Sequence, residues 1–385
     1  MLHTIALTLI PGLTPSQQLE LLRHYRDAEA IIMHPEETLS DVNEVARVPC
    51  IKAIIAGRGK ALLRAQQEEE FCRMHNIQIL PITAEGYPHR LRDCTDAPVV
   101  LYYRGTADLN AAHIIAIVGT RHITEYGKQV CLRFTERLAE ILPDTIVVSG
   151  LAYGVDVHAQ RGCMDHGLAT IGVVAHGLDQ VYPATHRNDA RRMIEQGGGI
   201  VTEYVRGTRP LQGNFLRRNR IIAGMADATI VIESAEHSGS LATARIADSY
   251  GRTVFAVPGR INDPYSVGCN NLIARRHAIP ALTIDDVIHE LDWWTETIPY
   301  RNEAHQLDLF SAHDFEAPST TKASSAATPE LHAITSALIG TDGLSIAAIA
   351  ERSALATSDV TAALFEMEMD GIVKILPGGL YILTR

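Results

Sequence analysis

The segment IIAIVGTRHITEYG (residues 114–127) indicates the fold class of this 385-residue chain. Five apolar residues lead into a turn at Gly119, Thr120 and Arg121, and a stretch with helical periodicity follows. A short apolar run bounded by turn residues is typical of a buried strand. The same succession recurs downstream. We predict further strands in TIVVSG, ATIGVVAHG, GIVTEY, ATIVIES and TVFAVPG, and helices over residues 125–141, 155–167, 185–196, 215–226 and 239–250.

This alternation predicts an α/β fold, a Rossmann-like, mostly parallel doubly wound sheet with helices on both faces. Nearly every predicted strand ends in small, polar or turn-forming residues. In such sheets ligands bind outside the carboxyl ends of the strands, near helix N-termini whose free amides attract anions. We therefore expect six polar loops to converge on one crevice.

A second informative segment is FLRRNRIIAG (residues 215–224), where basic and amide side chains follow an aromatic residue. One guanidinium group can donate two parallel hydrogen bonds to phosphate oxygens, and an aromatic face can stack on a nucleobase. Helix N-termini favour acidic residues, so arginines there are unfavourable unless an anion lies nearby. The segment predicts a binding site for single-stranded nucleic acid. The alternative is that these residues form a solvated helix face. The residues concerned are Phe215, Arg217, Arg218, Asn219 and Arg220.

The distribution of charge agrees with an anionic partner, although the chain as a whole carries a net charge of −11. Residues 113–280 hold 18 Lys and Arg against 15 Asp and Glu, and all but one of these cations are arginines. Because salt screens charges beyond about 10 Å, the local balance decides what a surface attracts. The middle of the chain is its basic part.

The flanking regions predict separate modules. Residues 1–70 have helical periodicity and outline a sterile-alpha-motif or helix-hairpin-helix-like domain, with a plain helical packing domain as the alternative. We assign residues 71–301 to the extended Rossmann-like domain between these modules. The polar residues 302–328 suggest a flexible linker. Residues 329–385 have the outline of a winged helix.

The predicted recognition helix of that winged helix has an unusual charge for a DNA-binding element. It contains Asp359, Glu366, Glu368 and Asp370 and no Lys or Arg. A helix that faces phosphates is expected to be basic. We therefore predict that this module contacts protein or serves only in packing.

Other features exclude several classes of protein. No apolar run is long enough to span a membrane and no signal peptide is evident, so we expect a cytoplasmic protein without a membrane partner. The six cysteines are widely spaced, which argues against a zinc site or disulfides and favours core packing. The turn after the first strand lacks GxGxxG, and no P-loop occurs. We expect no metal and no cofactor.

In their order and spacing, these motifs resemble the DNA-processing A family (DprA, also called Smf), single-strand DNA binders of bacterial natural transformation. The resemblance is strong over about residues 80–280. It rests on YPHRLRDCTDAPVVLYYRG (residues 87–105), GTRHITEYG (119–127), SGLAYGVD (149–156), GLDQVYP (177–183), FLRRNRIIAG (215–224), SGSLATA (238–244) and SVGCNNLI (266–273).

The resemblance implies specific contacts with single-stranded DNA. Arg121 would contact phosphate, and Gly119 would let the backbone approach it. The implied contact residues are Gly119, Arg121, Ser149, Gly150, Asn214, Phe215, Arg217, Arg218, Asn219, Arg220, Ser238, Gly239, Ser240 and Thr243. Asp156 and Tyr182 are better explained by structural roles. We expect Arg121 and Arg220, the principal pair, to meet at one anion-binding mouth above the sheet.

The resemblance further implies a non-enzymatic binder that protects incoming strands, delivers them to the RecA recombinase and forms a homodimer. Two alternatives stay open. One is a Rossmann-like nucleotide-processing enzyme, similar to phosphoribohydrolases, that would use Glu203 or Glu233. The other is a protein-interaction scaffold in which the terminal modules act and the arginines are structural.

Overall fold

The computed structural model describes residues 1–41, 44–293, 329–341, 343–369, 372–376 and 380–383. The chain divides into two compact units, Met1–Arg301 and Asn302–Arg385. The linker predicted at residues 302–328 lies outside the described residues. Within the described residues, every helix is too short or too polar to cross a bilayer.

The first unit begins with a helical region, as predicted. Thr14 starts the second helix with a capping box, in which its hydroxyl accepts from the backbone of Gln17 and the Gln17 side chain accepts from the backbone of Thr14. The apolar side chains of this region join one face of the sheet in a continuous core. The helices are α1 (Leu2–Thr8), α2 (Pro15–Tyr25), α3 (Ala28–Met33), α4 (Pro35–Thr38) and α5 (Glu44–Met74). Helix α5 crosses residue 70, where we placed a domain boundary.

A nine-stranded sheet forms the centre of the part of this unit that the structure describes. Its order is β1-β2-β6-β5-β4-β3-β7-β8-β9, and only the pairs made by β2 are antiparallel. The six predicted strands are confirmed as β3 to β8, whereas β1, β2 and the short β9 were not predicted. The strands are β1 (Gln78–Pro81), β2 (Val100–Gly105), β3 (Ile114–Gly119), β4 (Ile146–Ser149), β5 (Thr170–Val173), β6 (Gly199–Thr202), β7 (Ala228–Ile232), β8 (Thr253–Ala256) and β9 (Ile279–Pro280).

Helices cover both faces of the sheet. Ile115 and Ile117 of β3 pack with one helix layer, and Ile114 and Ala116 belong to the core on the other face. A strand buried on both faces has no polar side, which explains why these strands are apolar runs. The helices are α6 (His89–Arg92), α7 (Glu125–Ile141), α8 (Val155–Asp165), α9 (Arg187–Glu195), α10 (Gln212–Met225), α11 (Gly239–Ser249), α12 (Val267–Ala274) and α13 (Ile284–Glu290), with a 3-10 turn at Ala184–His186.

The strand order creates a topological switch point between β3 and β7. From β3 the chain builds outward through β4, β5 and β6, and it then returns to add β7 on the opposite side of β3. The loops that follow β3 and β7 therefore separate to opposite faces and leave a crevice between them. The Thr120 amide donates to the Glu233 carbonyl at 2.8 Å and joins the two loops at the base of this crevice.

The second unit is a small winged helix, which confirms that prediction. Its helices are α14 (Pro329–Leu338), α15 (Ile346–Ser353) and α16 (Thr357–Met369), and its strands are β10 (Leu344–Ser345), β11 (Val373–Leu376) and β12 (Leu380–Leu383). The strands pair antiparallel in the order β10-β12-β11 within the residues described. Ile334, Ile349 and Leu364, one from each helix, are fully buried in the core of this unit.

Candidate nucleic-acid interface

A cavity of about 630 Å³ opens above the carboxyl ends of β3 and β7. We call it the switch-point basin. It lies where open α/β sheets bind their ligands. Its walls come from the loop after β3, the start of α8, one face of α10 and the start of α11. The lining residues are Val118, Gly119, Thr120, Arg121, His122, Ala152, Asp156, Tyr182, Pro210, Gln212, Phe215, Leu216, Arg218, Asn219, Ile222, Ala235, His237, Ser238, Gly239, Ser240, Thr243 and Tyr265.

Arg121 and Phe215 meet at the mouth of the basin. The Arg121 guanidinium carbon lies 5.4 Å from the centroid of the Phe215 ring. Arg121 is exposed, and among the described residues it takes part in no ion pair. The Phe215 ring also lies 5.8 Å from that of Tyr182, at an interplanar angle of 54°. A guanidinium thus stands beside the Phe215 ring, which in turn lies near a second ring, a combination suited to one phosphate and one adjacent base.

Arg218 lies at the floor of the basin and is 3% exposed. Its Nη1 donates to the Gly150 carbonyl at 2.7 Å and also to the Val173 carbonyl. Burial lowers the pKa of Arg218 to about 10, an effect that the nearby Asp156 carboxylate opposes. At neutral pH the guanidinium is therefore still charged. Its positive charge raises the electrostatic potential at the floor of the basin. Its two hydrogen bonds also link the end of β5 to the residue that follows β4.

Ser149 and Gly150 do not line the basin, which corrects their predicted contact with phosphate. The Ser149 hydroxyl donates to the Ile117 carbonyl at 2.6 Å and is fully buried. The Gly150 amide donates to Asp156 Oδ2 at 3.1 Å, so it is already engaged. A Cβ atom at position 150 would lie 2.5 Å from that carboxylate and 2.6 Å from Arg218 Nη2. Gly150 therefore makes room for the two buried charged groups.

The carboxyl group of Asp156 has a structural task, in agreement with the sequence-based interpretation. Burial raises its pKa, and the positive charge of Arg218 opposes this rise. Although it lines the basin, Asp156 is 9% exposed and it holds the backbone after β4.

The start of α11 forms a hydroxyl-rich rim on the other side of the basin. The hydroxyls of Ser234, Ser238 and Ser240 lie 2.6 to 2.9 Å from one another. Gly239 faces open space, because a Cβ atom there would meet nothing closer than Asn219 Nδ2 at 4.0 Å. Unpaired amides and the positive end of a helix dipole favour anions at such a helix start.

Arg220 is directed away from the basin, and the prediction that it meets Arg121 at one mouth is corrected. Its Nη2 lies 2.5 Å from Glu203 Oε2, and Arg220 is 9% exposed. Burial raises the pKa of Glu203, an effect that the charge of Arg220 opposes. The pair is an internal ion pair on the side of α10 that packs toward Tyr87 and Asp96.

Two other predicted contacts also lie outside the basin lining. The Asn214 amide donates to the carbonyls of Arg209 and Ala175, at 3.2 and 3.4 Å. Arg217 is exposed on a different face of α10. The physical reason is helical spacing. Residues 215, 218, 219 and 222 share one face of a helix, whereas residues 217 and 220 point elsewhere.

The two carboxylates proposed for an enzyme both have structural partners. Glu233 accepts from the Thr124 amide at 2.8 Å and from the Thr124 hydroxyl, which fixes the start of α7. Glu203 is paired with Arg220. Among the described residues, His, Cys, Asp and Glu side chains form no cluster that could hold a metal ion. All six cysteines are buried free thiols, which agrees with core packing.

Sequence reasoning gave no role to several lining residues, namely His122, Gln212, His237 and Tyr265. The His122 ring lies 6.2 Å from the Tyr265 ring. Tyr182 was considered structural, yet it lines the basin and packs beside Phe215. A role for Tyr182 in the site could have been predicted from its position in GLDQVYP, one of the segments that carried the family resemblance.

The fold and the basin define a class: a doubly wound α/β protein with an arginine and aromatic site at its switch point and an appended winged helix. Residues 78–292 match the model of the DNA recombination-mediator protein A family, and residues 318–379 match that of the DprA winged helix domain. The chain belongs to the DNA recombination-mediator protein A (DprA/Smf) family.

Individual relatives agree with this assignment. Protein Smf of Escherichia coli is 33% identical over 84% of this chain and 82% of its own length. The X-ray structure of DNA processing protein A from Streptococcus pneumoniae is 30% identical, with a TM-score of 0.63 over 74% of this chain and 95% of that chain. A structure that concerns the single-stranded DNA binding mode of the Helicobacter pylori protein is 31% identical, with a TM-score of 0.50 over 56% of this chain and 96% of that chain.

Proposed function

We propose that this protein binds single-stranded DNA in the switch-point basin and processes incoming strands in natural transformation and recombination. The observation that carries the proposal is the free guanidinium of Arg121 beside the Phe215 ring. Family membership and the single-stranded DNA binding of the Helicobacter pylori relative support it.

The basin offers separate places for the two parts of a nucleotide. Arg121 and the start of α11 suit phosphates, because both present positive charge or unpaired donors. Phe215 and Tyr182 suit bases, and stacking contributes about 1 to 3 kcal/mol per base without regard to sequence. A base in a duplex has both faces covered by its neighbours. The arrangement therefore favours single strands over duplexes and shows little base preference.

The proposed contacts are a revised subset of those predicted from the sequence. The subset keeps the residues that line the basin: Gly119, Arg121, Phe215, Arg218, Asn219, Ser238, Gly239, Ser240 and Thr243. Arg220, Ser149, Gly150 and Asn214 act instead through internal hydrogen bonds.

We also propose that binding, not catalysis, is the activity, because Glu203 and Glu233 are engaged in an internal ion pair and a helix start. Protection of the strand, its delivery to RecA and action as a cytoplasmic homodimer extend this proposal on the strength of the family resemblance. Two basins joined in a dimer would raise the apparent affinity for a long strand through effective concentration. RecA-filament formation on strands coated with this protein, measured with the wild type and with an Arg121→Ala variant, tests the delivery step.

The direct test of the basin is Arg121→Ala, with the exposed Arg133→Ala on α7 as a matched loss of charge outside the basin. Affinity for an oligothymidylate is measured at several salt concentrations. Each lost phosphate contact should flatten the dependence of log K on log salt by about 0.7. A hydrogen bond to a charged group contributes about 1.5 to 3 kcal/mol, so we expect affinity to fall at least about tenfold. If Arg121→Ala behaves like Arg133→Ala, the basin does not hold the strand.

A further inference from the structure

A second cavity, of about 390 Å³, lies against α9 on the face of the sheet opposite α10. We call it the α9 groove. Its floor is apolar and includes Leu151, Val174 and Ile200. An apolar floor of this kind can take a flat, uncharged ring.

Three arginines surround this floor: Arg104 at the end of β2, and Arg187 and Arg191 on α9. All three are exposed, and among the described residues none of them forms an ion pair. Of the described residues that line the groove, Glu195 is the one with an acidic side chain. The groove therefore carries an excess of positive charge that the fold itself leaves unneutralised.

Neighbouring arginines that face elsewhere are paired. Arg192 Nη2, one position after Arg191, lies 2.7 Å from Asp165 Oδ1. Arg161 on α8 makes two hydrogen bonds to Asp189, at 2.8 and 2.9 Å. The lack of carboxylate partners is thus a property of the groove and not of this helix as a whole.

One loop contributes residues to both the groove and the switch-point basin. Gln180 and Val181 line the groove, and Tyr182, the next residue, lines the basin. His176 fixes this shared loop: its Nε2 accepts from the Tyr182 amide at 3.1 Å, and its Nδ1 donates to the Gly177 carbonyl at 2.9 Å. A strand that leaves the basin past Tyr182 would meet the arginines of the groove.

We infer that the α9 groove is a second subsite for the same single strand, in which Arg187 and Arg191 hold phosphodiester groups and the apolar floor receives a base. This inference rests on the proposed function of the basin. It predicts that strands long enough to pass Tyr182 gain affinity from the groove, and that strands confined to the basin do not.

The test compares two lengths of oligothymidylate, about six and about twenty nucleotides, the first within and the second beyond the roughly 4 to 16 nucleotides that one single-strand-binding fold occupies. The full-length double variant Arg187→Ala/Arg191→Ala is compared with the wild type and with Arg192→Ala, a matched loss of charge on the same helix. Thermal unfolding of each variant verifies the fold. For the long strand we expect at least a fivefold loss of affinity and a salt dependence flatter by about 1.4, or about 0.7 for each of two lost contacts. For the short strand we expect no change.

The other outcomes are distinct. Unchanged affinity for the long strand, or an equal loss for both lengths, would overturn the second subsite. The same loss in Arg192→Ala would overturn it as well, because the effect would then follow general charge. Failure of the wild type to bind either strand would refute the proposed function itself. In that case Arg121→Ala would also have no effect, which separates the two failures.

Discussion

The two sides of α10 carry similar residues and have different tasks. On one side, Phe215 and Arg218 face the switch-point basin, next to the free guanidinium of Arg121. On the other side, Arg220 is held by Glu203 in the interior. Arg218 and Arg220 are both buried, yet Arg218 hydrogen-bonds backbone carbonyls below an open cavity, whereas Arg220 neutralises a buried carboxylate. An arginine-rich motif therefore combines ligand contacts with structural charges, and the helical face separates them.

The largest effect is expected for Arg220→Ala, and it is on stability. The change leaves Glu203 buried without its partner, which typically costs about 3 to 5 kcal/mol in the free energy of unfolding. Urea denaturation measures this loss, with the exposed Arg217→Ala on the same helix as control, expected within about 0.5 kcal/mol of the wild type. The double variant Arg220→Met/Glu203→Leu should recover much of the loss. Wild-type stability with lost DNA binding in Arg220→Ala would reverse our assignment of the two sides.

The next effect distinguishes two glycines of the basin. A Cβ atom at Gly119 would lie 2.0 Å from the Ile232 carbonyl oxygen, so Gly119→Ala must displace backbone in the sheet. We expect a loss of about 1 to 3 kcal/mol or more in unfolding free energy. Gly239→Ala meets open space, so it should keep the stability and weaken DNA binding only if a phosphate approaches this backbone. Equal stability of the two variants would contradict the packing role of Gly119.

Phe215→Leu isolates the stacking part of the basin. Loss of one stacked base should weaken binding by about 1 to 3 kcal/mol. The slope of log K against log salt should not change, since no charge is removed. Tyr153→Leu provides a matched control, because Tyr153 is an exposed aromatic residue outside the basin lining. A change of slope in Phe215→Leu would show that the ring acts by holding Arg121 in place.

The smallest effect concerns pH and the loop shared by the basin and the α9 groove. Burial lowers the pKa of His176 below its ordinary value of 6.5. The neutral ring is needed to accept from the Tyr182 amide. The stability that the neutral His176 ring contributes to the folded protein is therefore complete above pH 6.5. It is lost as the pH falls below 6.5 and through the lowered pKa of the folded state. His176→Gln, compared with the wild type by thermal unfolding at about pH 7.5 and about pH 5.5, should lose less stability on acidification. Equal losses in both proteins would exclude this role.

Much of the fold could be predicted because β3 to β8 are buried on both faces and stand out as apolar runs between turns. Strands β1 and β2 were missed, since they pair antiparallel at the edge and their segments lack the strand-helix alternation that identified the others. In the site, Arg121 and Phe215 could be proposed from their motifs. The helical spacing of residues 215, 218, 219 and 222 could also have shown which side chains of α10 share the face that lines the basin. The partner of Arg220 could not be predicted, because Glu203 is 17 residues away and meets it only through the tertiary fold.

The most direct test of the basin is the structure of the protein in complex with an oligothymidylate. We expect the strand above the carboxyl ends of β3 and β7, with a phosphate at the Arg121 guanidinium and a base against the Phe215 ring. A strand bound on the Arg217 side of α10, or only to the winged helix, with the basin empty, would contradict this site.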